Sequence, residues 1–443
     1  MIIGLDIGTH SIKVAERKNA GNNNLVEQRT ILLKNLDGKE ISFGNDAIKE
    51  YFNRKGDCSQ LSLLDGIDVV KDHLRGAVAA LKIDNKPDMI ALTVPNEKSR
   101  KEKECLLKSV QEVFEHSKIF VLDDAICAAA VYKENNPNED FLLICDLGKS
   151  ALKLSFCDLR NDVLLINHST SVSQFAWGNF ENKLLQEFNT YRILANNEYM
   201  RRDRDRFRYD CLESLFALDQ EDKYRIIYLL ENDPENLMNH GIHEQKFISF
   251  WKPEVSLNTN EMHQLYQESF NNILSTLKDH IGNRLSETIP EEYCIPMMFI
   301  GSAVSPKKFA DFLVSIVNKQ LKGFFVKVYL PDNPKFAVAE GALKIISNEI
   351  TIHKPLKITV KRDKLVNGLG IEEETIIKQQ NSPKFGVDDT LQKFKFHSDS
   401  LNLEMKVGEE DLKVVTVDSP GKYDLIQTMD CFGMPIIEFR KSE

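Results

Sequence analysis

Apolar and polar residues alternate with a period of two at the start of the chain, where residues 3–14 read IGLDIGTHSIKV, and again where residues 143–154 read LICDLGKSALKL. In each copy an apolar run ends at an Asp, turns at a Gly and leaves as a second alternating run. That pattern predicts a β-hairpin with a carboxylate at its mouth. The offset is 140 residues throughout, pairing Asp6 with Asp146, Gly8 with Gly148 and Lys13 with Lys153. The repeat predicts a duplicated α/β core whose two lobes present their hairpins to a shared cleft.

Between the hairpins the period changes to that of helices and back. Helical spacing covers residues 65–82, about 97–114 and 125–132, separated by strands over Met89–Val94 and Ile119–Leu122. Beyond the second hairpin the pattern predicts a long helical region around 176–238, a short strand near 247–251 and a helix over 260–284. A strand over Met297–Ile300 then runs into Gly301 and Ser302, with a helix over 306–320 behind it. This alternation argues for an α/β core. From residue 352 onward, stretches 355–360, 400–407, 411–417 and 434–439 alternate with a period of two. Asn367-Gly368, Ser419-Pro420-Gly421 and Phe432-Gly433 supply turn signals between them. Residues 352–443 therefore read as a small all-β domain following residues 1–351.

Composition narrows the function. The 443 residues carry 67 acidic and 57 basic side chains, a formal net charge of −10, so a protein that coats nucleic acid is not expected. Apolar runs fall short of the ~20 residues that span a bilayer. The N-terminus opens with a strand-like segment carrying Asp6, so a secretory leader is not expected. The eight cysteines are scattered without metal-ligand spacing and read as buried hydrophobes of a reducing compartment. A cytoplasmic protein without membrane partners is the expectation. The interleaved charges of residues 201–208 read as a solvated helix face. His240 and His243 form an HxxH pair with no third ligand.

The hairpins carry the candidate chemistry. A turn that closes on a phosphate needs compact residues, which Gly8 and Gly148 are, and Thr9 adds a hydroxyl donor. Asp6 and Asp146 facing one another suit a Mg²⁺ ion held through its waters and an oriented attacking water, because phosphoryl transfer depends on positioning and charge stabilisation. Ile300-Gly301-Ser302, a strand ending in Gly, lets a base or ribose approach the backbone. Asn333-Pro334 leads into the small-residue helix Ala337–Ala342.

These segments together resemble the actin-like ATPase superfamily, and within it the DnaK-type chaperones (the heat shock protein 70 family), over almost the whole chain. Ile3 to Lys13 resembles that family's first phosphate loop, and Phe43 to Ala47 its Gly-x-x-Ala turn. Leu92-Thr93-Val94-Pro95 matches its Thr-Val-Pro strand end, and Leu122 to Ala130 its Asn-Glu-Pro-Thr-Ala-Ala-Ala segment, with Asp124 in the acidic position. Cys145 to Leu154 resembles the second phosphate loop, Phe180 to Leu184 the following helix, and Asn333 to Ala342 the last nucleotide-lobe motif. Gly370 to Lys378 resembles the opening of the substrate domain. The fold so implied is a duplicated ribonuclease H-like (actin-like ATPase) two-lobed nucleotide-binding domain, followed by a small β-sandwich without a helical lid.

The resemblance implies an ATP- or ADP-binding, Mg²⁺-dependent chaperone whose β domain takes unfolded or extended peptide segments with a co-chaperone. Asp6, Asp124 and Asp146 take the catalytic positions, with Asp6 and Asp146 on the metal through water. Gly8, Thr9, His10, Gly148, Lys149, Gly301 and Ser302 take the nucleotide contacts. Departures sit at the same places. Lys149-Ser150-Ala151 replaces Gly-Gly-Thr, Val304 replaces an Arg that stacks on the base, and Ala176 to Asn179 replaces a Gly-Gly-Glu-Asp stretch. The family's phosphate-contacting Lys in the first lobe has no clear counterpart, Lys55 being a weak candidate. The departures keep open a nucleotide-poor or inactive DnaK-like interaction protein, and an actin-like filament or pilus-assembly protein stands behind it.

Overall fold

The computed structural model describes residues 1–186 and 294–442 with internal breaks at 9, 18–22, 35–39, 53–56, 61–66, 84–85, 161–162, 174–176, 302–303, 305–313, 315–325, 354–355, 367–368, 379–381, 398–400 and 408–412, together with residues 196, 201, 204, 205 and 208. In chain order the first lobe contains β1 (Ile2–Ile7), β2 (Ser11–Arg17), β3 (Asn24–Arg29), β4 (Ile31–Lys34), β5 (Glu40–Phe43), α1 (Gly44–Phe52), β6 (Asp57–Gln60), α2 (Ile67–Leu81), β7 (Met89–Val94), α3 (Arg100–Val113) and β8 (Lys118–Asp123). Next come α4 (Asp124–Asn135), β9 (Phe141–Leu147), β10 (Leu152–Asp158), β11 (Leu165–Val172), α5 (Trp177–Gln186), β12 (Ile295–Ile300), β13 (Val326–Tyr329) and α6 (Ala337–Ile346). The remainder is strand: β14 (Lys357–Val366), β15 (Leu369–Lys378), β16 (Asp389–Phe396), β17 (Asn402–Val407), β18 (Lys413–Thr416), β19 (Gly421–Met429) and β20 (Pro435–Lys441).

The protein is a mixed α/β structure with several sheets, and two of its five-stranded sheets share one plan. Their orders are β3-β2-β1-β7-β8 and β11-β10-β9-β12-β13. In each, three strands meander antiparallel and two more add in parallel. Both hairpins read from the sequence are present, with Asp6 opposite Lys13 and Asp146 opposite Lys153. Alternation buries Ile3, Leu5 and Ile7 on β1 and Ile12 and Val14 on β2, each such side chain worth ~1.5–3 kcal/mol. Helix α3 starts where its sequence dictates. Ser99 and Glu102 form a capping box, which satisfies two of the orphan amides of the first turn.

Two helices tie the lobes together. Helix α6 follows the second sheet in sequence but packs on the first, and a Cβ at Gly4 would stand 2.1 Å from the Ala339 carbonyl oxygen. Helix α4 follows the first sheet but packs Ala128 and Ala129 into the core of the second, with Leu142 and Ile144. The helices meet backbone to backbone, since a Cβ at Gly341 would lie 1.7 Å from the Cys127 carbonyl oxygen.

The C-terminal strands form two antiparallel sheets, β15-β14-β17-β18 and β16-β19-β20. They share one apolar core in which Ile358, Val360 and Leu403 meet Phe394, Phe396 and Leu425. This unit is docked on the rest of the protein. Phe385 stacks edge-on against Phe120 at 5.0 Å, its backbone is held by both ends of the Asn348 amide, and the Val121 N–H donates to the Cys431 carbonyl at 2.6 Å. The expected strand near 247–251, the helices over 260–284 and 306–320, the Asn367-Gly368 turn and most of the helical region 176–238 lie outside the described residues. No helix among the described residues is long and apolar enough to cross a membrane.

Candidate functional site

The two hairpin mouths open on one cleft of about 340 Å³. The hairpin turns are built alike. The Gly8 N–H donates to the Ser11 carbonyl at 3.0 Å and the Gly148 N–H to the Ala151 carbonyl at 3.1 Å. A Cβ at either glycine would press on that carbonyl, at 3.1 and 2.9 Å. Both amides are therefore committed inside the turns, and these glycines contribute compactness rather than phosphate-facing donors.

Asp6, Asp124 and Asp146 all line this cleft, as do Gly8, His10, Gly148, Lys149 and Gly301. Thr9, Ser302 and Lys55 lie outside the described residues, as do His240 and His243. Each carboxylate has a different set of partners. Asp6 takes the Lys13 ammonium at 3.0 Å and the Thr93 hydroxyl at 3.3 Å. Asp124, at the start of α4, takes the Lys153 ammonium at 2.6 Å and the Ala125 N–H at 2.8 Å. Asp146 has no hydrogen bond or ion pair among the described residues, and burial, with the nearby charge of Asp124, pushes its carboxyl up to about 6. Next to it stands Gly301 at φ +103, where a Cβ would lie 2.9 Å from the Asp146 Oδ1 and 2.7 Å from the Leu147 carbonyl oxygen. Only glycine fits that corner without strain.

Cations surround the carboxylates. Burial opposes the charge on Lys13 and Lys153, yet the facing carboxylates hold both ammonium groups above the usual lysine range. Lys149 reaches across the cleft. Its ammonium is 3.2 Å from the His10 Nδ1 of the first hairpin and 3.4 Å from the Glu181 carboxylate of α5. The Arg29 guanidinium approaches the same His10 nitrogen at 3.2 Å. Burial, followed by the charges of Lys149 and Arg29, holds His10 far below the usual histidine range. The ring is neutral, with Nδ1 as acceptor and the proton on Nε2. Lys335 also lines the cleft and pairs with Glu27.

Lys13, Lys153, Arg29, Glu181 and Lys335 were not among the residues that motif reading singles out for the site. For the two lysines the signal was the repeat itself, since they recur at the offset of 140. Val304, in the position of the base-stacking Arg of the resembling family, is buried. Among the described residues, no three carboxylate, imidazole or thiol groups come close enough to hold a metal ion directly. Compared with models of known protein families and with curated protein sequences, the chain matches none.

Chemically the arrangement offers one carboxylate without a donor among the described residues, two carboxylate–lysine pairs and a bridging cation, Lys149, all facing one cavity. A ligand with several negative charges satisfies that combination better than a neutral one.

Proposed function

We propose that the cleft binds the polyphosphate of a nucleoside triphosphate, in the manner of the DnaK-type chaperones that the chain resembles. The observation that carries this reading is the convergence of two matched Asp-x-Gly hairpins on one lysine-rich cleft. The common strand order of the two sheets supports the finer fold reading, a duplicated ribonuclease H-like core of the actin-like type. The two docked antiparallel sheets support a β-sandwich that takes an extended peptide segment by strand pairing.

In this reading Lys13 and Lys153 supply fixed positive charge beneath the phosphates, and Gly8, Gly148 and Gly301 let the chain approach them closely. Asp146 accepts a proton from, or orients, a water in the cleft, which its lack of a competing donor permits. The same lack makes Asp146, with Asp6, the residue that would hold Mg²⁺ through the ion's waters. When bound, the ion would neutralise phosphate charge. Asp124 is held by Lys153 and sets the charge on that side.

Calorimetric titration tests this. The wild-type protein is expected to bind Mg-ATP, and at 100 times the dissociation constant to gain ~2.7 kcal/mol of stability. Asp146→Asn is expected to weaken Mg-ATP binding at least tenfold while changing metal-free ATP binding little. Absence of any binding at millimolar Mg-ATP would favour a second reading, an interaction protein that keeps the fold without using nucleotide. The bridge of Lys149 across the cleft to His10 and the buried Val304 favour that alternative.

A further inference from the structure

Among the described residues, Glu181 is an acidic side chain of the cleft that sits among cations rather than beside the three aspartates. It lies on α5, is almost fully buried, and its Oε2 has no hydrogen bond among the described residues. That oxygen is 3.4 Å from the Lys149 ammonium and 3.5 Å from the Arg208 guanidinium. Among the described residues, these two cations are what faces it. A buried carboxylate oxygen without a donor is costly unless positive charge faces it.

The position of Lys149 is fixed at both ends. Its carbonyl accepts from the Gly178 N–H at 3.0 Å, at the start of α5, which brings its loop against the helix that carries Glu181. Its ammonium then spans Glu181 and His10. An anion entering between the hairpins meets a lysine already engaged by a carboxylate of the protein. An entering phosphate would compete with Glu181 for Lys149, leaving Arg208, among the described residues, to face Glu181.

We propose that Glu181 is a resident counter-anion that holds Lys149 and is displaced by the ligand's phosphates, so that the cleft selects for ligands of higher negative charge over those of lower charge. This rests on the polyphosphate reading of the cleft. A triphosphate can draw Lys149 away from one carboxylate, whereas inorganic phosphate or a monophosphate competes with it on nearly equal terms. Specificity then comes from an internal competitor as much as from attraction.

The test is titration of the full-length protein with Mg-ATP, AMP and inorganic tripolyphosphate. Glu181→Gln, nearly identical in shape, is expected to tighten all three about five- to tenfold. The gain is expected to be largest for AMP, so that discrimination between ATP and AMP narrows. Glu181→Asp, which keeps the charge but draws it back from Lys149, is expected to give a smaller gain and covers the case in which the amide does not fold. In a Lys149→Ala background Glu181→Gln is expected to change nothing, because a double-mutant cycle isolates the pair. Binding by the wild type that is unchanged or weakened in both Glu181 variants would overturn this proposal and leave the polyphosphate reading standing. Absence of binding in wild type and variants alike would overturn both. Binding seen only when Glu181 is neutral would support the resident-anion role most directly.

Discussion

At the mouth of the first hairpin Asp6 takes the ammonium of Lys13 at 3.0 Å and the hydroxyl of Thr93 at 3.3 Å. At the mouth of the second, Asp146 takes neither, although a lysine stands opposite it in the same register. The cause lies in the neighbours. In the first sheet the parallel partner of Asp6 is Thr93, whereas in the second the parallel partner of Asp146 is Ile300, which has nothing to donate. Lys153 turns instead to Asp124, 2.6 Å away at the head of α4. A repeated backbone thus places the two carboxylates alike, while side chains arriving from neighbouring strands and helices decide their charge.

The same contrast runs through the packing, where the largest effect is expected. Gly4 of β1 admits the backbone of α6, and the equivalent place in the second lobe, Ile144 of β9, meets the alanines of α4. Gly4→Ala would put a methyl group 2.1 Å from the Ala339 carbonyl oxygen, against backbone that cannot swing aside. A loss of about 3 kcal/mol or more is expected in urea unfolding. Ile144→Val is expected to cost ~0.5–1.5 kcal/mol. Equal losses would mean that the lobes are packed alike at this layer.

The hairpins were legible in the sequence because period-two alternation and the Asp and Gly positions repeat at one offset. Helices α2 and α3 were legible from their apolar spacing, although α3, expected from about residue 97, begins only at Arg100, behind the capping box of Ser99 and Glu102. Strands β3, β4 and β13 gave no such signal. They are short, and β3 has no fully buried residue. The segment after Phe43 reads as a turn, but Gly44 at φ +67 passes directly into α1. In the site, Asp6, Asp124 and Asp146 belong to recognisable motifs. Arg29 does not; Glu181 and Lys335 lie within segments that resemble motifs, but nothing in those motifs singles them out, because they arrive with Arg29 from β3, α5 and the approach to α6 and only the folded chain brings them to one cavity.

A second prediction separates the two carboxylates by sign. Asp146 is raised from an ordinary value of 3.8 to about 6. A carboxyl raised by folding contributes stability below the unfolded value, and that contribution is lost as pH rises through the folded one. Stability is therefore expected to fall between about pH 4 and pH 6 on this account, by at most ~3 kcal/mol. Water in the cleft reduces that figure. Asp146→Asn is expected to remove the dependence and to be more stable than wild type at pH 7. Asp6→Asn strands the largely buried Lys13 ammonium, and a loss of about 2 kcal/mol is expected at the same pH. Urea unfolding of both variants at pH 4 and pH 7 measures this, and effects of the same sign at pH 7 would break the asymmetry drawn between the hairpins.

The smallest expected effect comes from exchanging the neighbours themselves. If Ile300 is the reason that Asp146 lacks a donor, Ile300→Thr should supply one, since residue 300 lies beside Asp146 in the parallel register that places Thr93 beside Asp6. The hydroxyl would donate to the ionised carboxylate and favour it, lowering the Asp146 midpoint by roughly one unit from its value of about 6. Carbon-detected NMR of the aspartate carboxyls across pH 3 to 8 reads this directly. The reciprocal change, Thr93→Val, keeps the shape and deletes the donor, and a loss of about 1 kcal/mol is expected. An Asp146 midpoint that stays near 6 in Ile300→Thr would show that burial alone sets it. The difference between the hairpins would then originate in the depth of the cleft and not in the residue each parallel neighbour contributes.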